Sequence, residues 1–163
     1  MKKLWAPWRI EYILMEKIKE CIFCKAAKEN KDDENLVLWR GKYSFVMLNR
    51  YPYNSGHLMI APYTHTGDIE QLKKEELDEI IILIQKSVKL LKKALKPDGF
   101  NIGINIGKVA GAGIEDHIHV HIVPRWNGDT NFMPIIGDTK VVNQYLSETL
   151  DFLRKYISIY EAD

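Results

Sequence analysis

The most informative stretch of the sequence is His117-Ile118-His119-Val120-His121-Ile122-Val123-Pro124. In an extended chain, alternate side chains point to opposite faces, so the three imidazoles line one surface while the aliphatic residues between them enter the core. A neutral imidazole can act as a nucleophile, a proton donor or a metal ligand, and a charged one stabilises phosphate oxygens. This spacing predicts a half-buried strand whose polar face can hold and attack a phosphoryl group.

A glycine-rich segment lies directly before this strand. Asn105 is followed by Gly107, Gly111 and Gly113. Because glycine has no side chain, backbone N–H groups in such a segment can come close to an anion. Glycine-rich loops often only make a turn. It is the position of this one, next to the three histidines, that favours phosphate binding.

Five short strands are expected around these segments. Each is a run rich in β-branched, aliphatic or aromatic residues, bounded by turn formers such as Arg40-Gly41-Lys42 or by Pro62. They cover residues 35–39, 43–48, 57–61, 100–106 and 117–123. The first two are separated by only three residues, which predicts an antiparallel hairpin.

Two amphipathic helices complete the expected fold. Apolar residues at steps of three and four predict a long helix over residues 74–95 and a second one from 141 to about 156. Residues 4–13, rich in aromatics and interrupted by Pro7, are expected to pack as an arm. Since hairpin-length connections outnumber crossovers, the expected class is α+β, with a mainly antiparallel sheet, one long helix and a C-terminal helix. We expect one domain over residues 1–163.

Composition narrows the classes of partner. The 163 residues include 23 basic and 22 acidic side chains, a formal net charge of +1, so no strongly basic surface is expected and nucleic acid is an unfavoured partner. No apolar run approaches the roughly 20 residues of a membrane span. The N-terminal residues do not form an apolar signal core either. The expectation is a cytoplasmic protein without membrane contact.

At the histidine strand, the chain resembles the histidine triad family, whose signature is His-x-His-x-His with hydrophobic residues at x. The segment 48–62 is similar to the ribose-binding strand and Gly-His turn of that family. Residues 5–9 (Trp-Ala-Pro-Trp-Arg), 111–114 and 124–134 resemble its branch of microbial diadenosine tetraphosphate phosphorylases. The resemblance implies an HIT-like fold, a homodimer, and cleavage at the α-phosphate of an adenine nucleotide or dinucleoside polyphosphate through a nucleotidyl-histidine intermediate.

The resemblance also implies roles for individual residues. His119 is expected to be the nucleophile, and His121 to contact the phosphate and the departing oxygen. Asn49 is expected at the nucleotide pocket, but it could instead be a turn former before Pro52. Trp126 is expected to stack on the substrate, but it could instead be a packing residue. The full set of residues expected to bind substrate is Asn49, His57, Asn105, Gly111, Ala112, Gly113, Ile114, His121 and Trp126.

Two cysteines form a Cys-x-x-Cys pair, Cys21 and Cys24, which in a reducing compartment indicates metal binding or redox chemistry. No β-strand of a βαβ pattern precedes the pair, which disfavours a thioredoxin-like role. The resemblance implies a structural zinc ion, one per chain, held by Cys21, Cys24, His65 and His117 in a closed tetrahedral set. The alternative is that both cysteines are small apolar residues and no metal binds.

The sequence is also compatible with two other functions. In one, His117, His119 and His121 together hold a catalytic zinc ion in a metal-dependent hydrolase, because alternate histidines on a strand can share one ion. In the other, the chain is a nucleotide-binding regulatory module with little turnover, since binding and chemistry use the same residues. Whether water or inorganic phosphate is the second acceptor is also open.

Overall fold

A computed structural model of the chain describes residues 20–129 and 145–160. The expected arm at 4–13, the segment 130–134 and the first residues of the expected C-terminal helix lie outside these ranges. Two short 3-10 turns, Ile69–Gln71 and Lys108–Ala110, occur between the main elements. The main elements are α1 (Ile22–Lys28), β1 (Val37–Arg40), β2 (Ser44–Leu48), β3 (Leu58–Pro62), α2 (Lys74–Leu95), β4 (Gly99–Ile104), β5 (Val120–Arg125) and α3 (Leu146–Tyr160).

The strands form one five-stranded sheet in the order β1-β2-β3-β5-β4, and all its pairings are antiparallel. The expected α+β class and the hairpin of β1 and β2 are therefore confirmed. In the middle of the sheet His121 pairs with Met59 of β3 on one side and with Gly103 of β4 on the other. The backbone of His121 is thus paired with a neighbouring strand on each side, which fixes the position of its side chain.

Apolar side chains pack on both faces of the sheet. On one face α2 and α3 cover a cluster that includes Ile118, Val120 and Ile122. On the other face α1 contributes Phe23 to a smaller cluster with Phe45, Met47, Met59 and Ala61. This division follows the two-residue alternation of each strand. It leaves the triad imidazoles on the α1 side of the sheet.

The long helix α2 has the bounds expected from its periodicity, Lys74–Leu95, and Lys96 ends it in the left-handed conformation with φ of 49°. Its Glu79 carboxylate accepts the backbone N–H groups of Lys42, Tyr43 and Ser44 at 2.8, 2.6 and 2.6 Å. These bonds fix the β1–β2 turn to the helix. Within the described residues, neither α2 nor any other helix is long and apolar enough to cross a membrane.

The strand of the three histidines begins later than expected, at Val120 instead of residue 117. Its ladder with β3 stops at the pair Ile60 and Val120. Beyond that point β3 reaches Pro62, which has no N–H to donate. The N–H of Ile118 donates instead to the carbonyl of Thr66 at 2.7 Å. The chain at 117–119 remains extended enough to keep the alternation of faces but leaves the sheet.

Candidate active site and metal centre

The ring of His119 is buried and held in one tautomer. It is 5% exposed, and its Nδ1 lies 2.8 Å from the main-chain carbonyl oxygen of His117. A carbonyl only accepts hydrogen bonds, so Nδ1 carries the hydrogen and Nε2 keeps a free lone pair. Burial lowers the pKa of His119 below its ordinary value. The ring is therefore neutral near pH 7 and has the form that a nucleophile needs.

The ring of His121 is oriented by a second buried histidine, His57. The N–H of Tyr53 donates to His57 Nδ1 at 3.0 Å, so the hydrogen of His57 is on Nε2. Nε2 lies 3.0 Å from His121 Nδ1, which must accept it. The hydrogen of a neutral His121 is consequently on its own Nε2. The His121 and His119 rings meet edge to face with centroids 4.8 Å apart.

The segment between β2 and β3 surrounds His57. Asn49 Oδ1 accepts the N–H of Tyr51 at 2.9 Å, which is the turn-forming contact, and Asn49 Nδ2 lies 3.4 Å from His57 Nδ1. The ring of Tyr53 stacks on that of His57 at 4.9 Å and lies 5.9 Å from His121. Tyr53 was not among the residues expected from the sequence to form the site. The sequence feature that could have indicated a role for Tyr53 is its position four residues before His57 of the Gly-His turn.

The glycine-rich loop lies between β4 and the triad. Gly107 and Gly111 have φ of +77° and +92°, values that other residues rarely adopt, so both glycines are required by the loop conformation. The side-chain amide nitrogen of Asn105 lies 4.0 Å from the point that a Cβ atom would occupy if Gly111 carried a side chain. Asn105 thus faces the loop. Of the residues expected to bind phosphate here, Ala112 is buried and Ile114 packs on the cluster around Phe23, whereas Gly111 and Gly113 are exposed.

Trp126 follows β5 directly and is half-buried. Its backbone N–H donates to the carboxylate of Asp129 at 3.2 Å, and the same carboxylate forms an ion pair with Arg125 at 2.6 Å. Asn54 also donates to Asp129 at 2.9 Å. Asp129 therefore ties the loop of Trp126 to the segment that surrounds His57.

The four expected metal ligands lie together. Ligand atoms of Cys21, Cys24, His65 and His117 are all within 4.8 Å of one another. His117 Nδ1 is 3.3 and 3.6 Å from the two sulfur atoms and 3.2 Å from His65 Nδ1, and Cys24 Sγ is 3.2 Å from His65 Nδ1. In tetrahedral zinc sites the usual bond lengths give about 3.6 Å between S and N and about 3.3 Å between two N atoms. The donor set and its spacing fit such an ion.

The tautomer of His117 suits a metal ligand. Its Nε2 donates to the Pro62 carbonyl at 2.9 Å, which leaves the Nδ1 lone pair directed at the cysteines and His65. Desolvation lowers the pKa of His117, which favours the neutral ring that binds metals. Burial also raises the pKa of the Cys21 thiol, so its thiolate needs a cation beside it.

Phe23 contacts both His117 of the candidate metal group and His119, and it was not among the site residues expected from the sequence. It lies between the two cysteines along the chain and is fully buried. Its ring centroid is 5.1 Å from that of His117 and 4.7 Å from that of His119. The only available signal was its place inside the Cys-x-x-Cys motif, where an apolar residue is also typical of ordinary helix packing.

The chain is similar to known proteins of one family. Residues 30–128 match the model of the HIT domain family. The chain is 40% identical to an AP-4-A phosphorylase of Mycobacterium tuberculosis, over 91% of this chain and 80% of that protein.

Two solved structures are also similar. One is a Zn-bound histidine triad family protein from Mycobacterium smegmatis, with a TM-score of 0.69 and 25% identity, over 88% of this chain and 96% of that one. The other is a histidine triad nucleotide-binding protein from Sulfolobus tokodaii, with a TM-score of 0.70 and 26% identity, over 86% and 94% of the two chains. The family model spans more than half of the chain, and the chain therefore belongs to the HIT domain family.

Proposed function

We propose that this chain is an enzyme that cleaves a dinucleoside polyphosphate, with His119 as the nucleophile and inorganic phosphate as the second acceptor. The observation that carries the proposal is the hydrogen bond from His119 Nδ1 to the His117 carbonyl, because it leaves a neutral imidazole with a free Nε2 lone pair. Similarity to an AP-4-A phosphorylase over 91% of the chain supports the choice of substrate.

In the first step, Nε2 of His119 attacks the α-phosphorus of the substrate. A P–N bond forms, and the bond from the α-phosphorus to the bridging oxygen breaks. His121 presents an Nε2–H that can donate to this oxygen as negative charge develops on it. For diadenosine tetraphosphate the leaving group is ATP, and AMP remains covalently attached to His119.

In the second step, an oxygen of inorganic phosphate attacks the same phosphorus, the P–N bond breaks, and ADP leaves. Two displacements at one centre replace a single difficult one. The glycine-rich loop with Asn105 would hold the phosphate oxygens through backbone N–H groups. His57 is fully buried and bonded to His121, so we assign it to orienting His121 during both steps.

We propose that the group of Cys21, Cys24, His65 and His117 holds a structural zinc ion. Four protein ligands close the coordination sphere and leave no position for substrate. When bound, zinc would neutralise the thiolates and fix α1 to the segment that carries His119. Because both cysteines must stay reduced for this, the proposal keeps the expectation of a cytoplasmic enzyme.

We also propose that the chain forms a homodimer through β4. This strand is at an edge of the sheet, and its Ile102 and Ile104 are 45% and 38% exposed. Exposed edges with apolar side chains favour pairing with another chain. A second copy would cover both residues and extend the sheet.

The hydrolase alternative with a catalytic zinc ion on the triad is disfavoured by the hydrogen bonds of the three histidines. His117 directs Nδ1 at the cysteines and uses Nε2 for the Pro62 carbonyl. Nδ1 of His119 and Nδ1 of His121 are also engaged, with the His117 carbonyl and with His57. His119 keeps a lone pair on Nε2, but Nε2 of His121 carries the hydrogen, so the three rings do not offer three lone pairs to one shared ion. The binding-module alternative differs from the proposal only in turnover, which the first experiment measures.

Replacing the nucleophile tests the mechanism. His119→Asn should bind diadenosine tetraphosphate with nearly unchanged affinity and lose several orders of magnitude in turnover. That loss would exceed the roughly 10²–10⁴-fold typical of losing a general acid or base, which is the loss we expect for His121→Asn. Rapid quenching of the wild-type reaction should trap an acid-labile nucleotidyl group on His119. A His119→Asn variant with a tenth of wild-type turnover, or a label on His121, would refute this role.

Product analysis tests the acceptor. With inorganic phosphate present, diadenosine tetraphosphate should give ADP and ATP, and replacing phosphate by sulfate at equal ionic strength should slow the reaction greatly. Labelled phosphate should appear in the ADP, since its oxygen forms the new bond. AMP and ATP at an unchanged rate in sulfate would mean that water is the acceptor, and the phosphorylase assignment would fail while the nucleophile could stand.

Elemental analysis tests the metal. Protein purified without added metal should contain about one zinc ion per chain, and Cys24→Ser should lose the ion and melt at a lower temperature, because metal binding stabilises only the folded chain. His57→Gln, a change at a buried histidine outside the ligand group, should keep the zinc. Wild-type protein without metal would end the zinc proposal.

Light scattering after size exclusion tests the dimer. The wild-type chain should have the mass of two copies, and the double variant Ile102→Lys, Ile104→Lys should have the mass of one, because lysine at an edge strand opposes pairing. Tyr145→Lys is the matched control, since Tyr145 is 78% exposed and lies outside the sheet. The proposal fails if the wild-type chain is monomeric or if the double variant remains a dimer.

A further inference from the structure

The tautomers of His57 and His121 both depend on the backbone N–H of Tyr53. This N–H donates to His57 Nδ1 at 3.0 Å, and His57 Nε2 in turn donates to His121 Nδ1 at 3.0 Å. The side-chain amide nitrogen of Asn49 also faces His57 Nδ1, but from the longer distance of 3.4 Å. The N–H of Tyr53 is therefore the main contact that keeps a hydrogen off Nδ1 of His57.

The two partners of this contact are held in different ways. His57 directly precedes β3, and its carbonyl accepts the N–H of Asn49 at 2.9 Å, so the sheet fixes its backbone. Tyr53 lies outside the sheet, in the connection between β2 and β3, and is 40% exposed. Whatever holds the backbone next to Tyr53 therefore decides whether its N–H stays against His57.

Asn54, the next residue, attaches this backbone to the end of β5. Its Nδ2 donates to the carbonyl of Pro124 at 3.1 Å and to the carboxylate of Asp129 at 2.9 Å. Its Oδ1 accepts the N–H of Ser55 at 3.2 Å. The side chain of Asp129 is only 11% exposed and is held in turn by Arg125 at 2.6 Å. Because this acceptor is screened from water and fixed, its bond to Asn54 restrains the connection beside Tyr53.

We propose that Asn54 and Asp129 are positioning residues for the departure of the leaving group, because they hold the Tyr53 N–H against His57. If this N–H moves away, the hydrogen of His57 can shift to Nδ1, and His121 must then carry its own hydrogen on Nδ1. Nε2 of His121 would present a lone pair, which cannot donate to the departing oxygen. The inference rests on the proposed role of His121 and extends it to two residues that act through His57.

Replacing both ends of the bond between Asn54 and Asp129 tests the inference. Asn54→Asp keeps an oxygen for the Ser55 N–H, but it loses the Nδ2 donor and places a like charge beside Asp129. It should lower kcat for diadenosine tetraphosphate by about 10- to 100-fold, with KM within about threefold of wild type. Adding Asp129→Asn supplies a donor from the other side of the bond and removes the like charge. The double variant should therefore recover most of the lost kcat.

Asp98→Ala is the matched control. The Asp98 carboxylate accepts the N–H of Asn127 at 2.7 Å, in the same loop as Asp129. The bond that this variant removes joins the loop to the start of β4 and not to the connection that carries Tyr53. Asp98→Ala should therefore lower the melting temperature and leave kcat within about twofold of wild type.

A nitrogen-15 NMR spectrum of the histidine rings gives a readout that does not depend on turnover. The wild-type chain and Asp98→Ala should show His57 and His121 each with the hydrogen on Nε2 alone. Asn54→Asp should show a mixture of tautomers at both rings, and the double variant should restore the wild-type signals. If Asn54→Asp does not fold, Asn54→Ser takes its place with the same expected loss and mixture, since its hydroxyl ends one bond short of the Nδ2 position.

Unchanged tautomers of His57 and His121 in Asn54→Asp would overturn the inference. So would a kcat within about twofold of wild type in that variant, or a double variant no more active than Asn54→Asp alone. A failure of the proposed function is recognised separately, from His119→Asn and His121→Asn. If His121→Asn keeps its turnover, the proposed role of His121 fails, whereas the tautomer signals still decide whether Asn54 holds the Tyr53 N–H in place.

Discussion

The two-residue alternation of residues 117–122 is the constraint on which the rest of the molecule depends. Ile118, Val120 and Ile122 complete the core beneath α2 and α3, and the imidazoles between them face α1. A slip of one residue would bury all three imidazoles in that core and expose the aliphatic side chains. The register that folds the protein is thus also the register that assembles the site, so neither can change without the other.

Main-chain groups explain how three chemically identical side chains come to differ. The hydrogen bond to the Pro62 carbonyl leaves the lone pair of His117 on Nδ1, and the hydrogen bond to the His117 carbonyl leaves the lone pair of His119 on Nε2. The Tyr53 N–H donates to Nδ1 of His57, so His57 donates from Nε2 to Nδ1 of His121. The hydrogen of His121 is therefore on its Nε2. Since backbone atoms move less than long side chains, each tautomer is fixed before a substrate arrives.

Sequence periodicity predicted the class of the fold and both ends of α2, because those follow from the local alternation of apolar residues. It could not predict that the histidine strand begins only at Val120, since this depends on Pro62, a residue distant in sequence that ends the ladder. The resemblance to the family brought Cys21 and His65 into one group. The contact of Phe23 with His119 and the carbonyl partner of His117 have no signature in the sequence, because a buried phenylalanine and a backbone carbonyl occur everywhere.

His117 connects the proposed metal centre to the chemistry without taking part in it. Its ring binds the cysteine group on one side, while its own carbonyl accepts the hydrogen bond that fixes His119. Any shift of the His117 ring that moves its backbone would move that carbonyl and weaken the hydrogen bond that fixes the tautomer of His119. A closed metal site can therefore influence catalysis through one rigid residue, although no position on the ion is open to substrate. This would be a physical reason for the proposed zinc site to lie beside the proposed reaction.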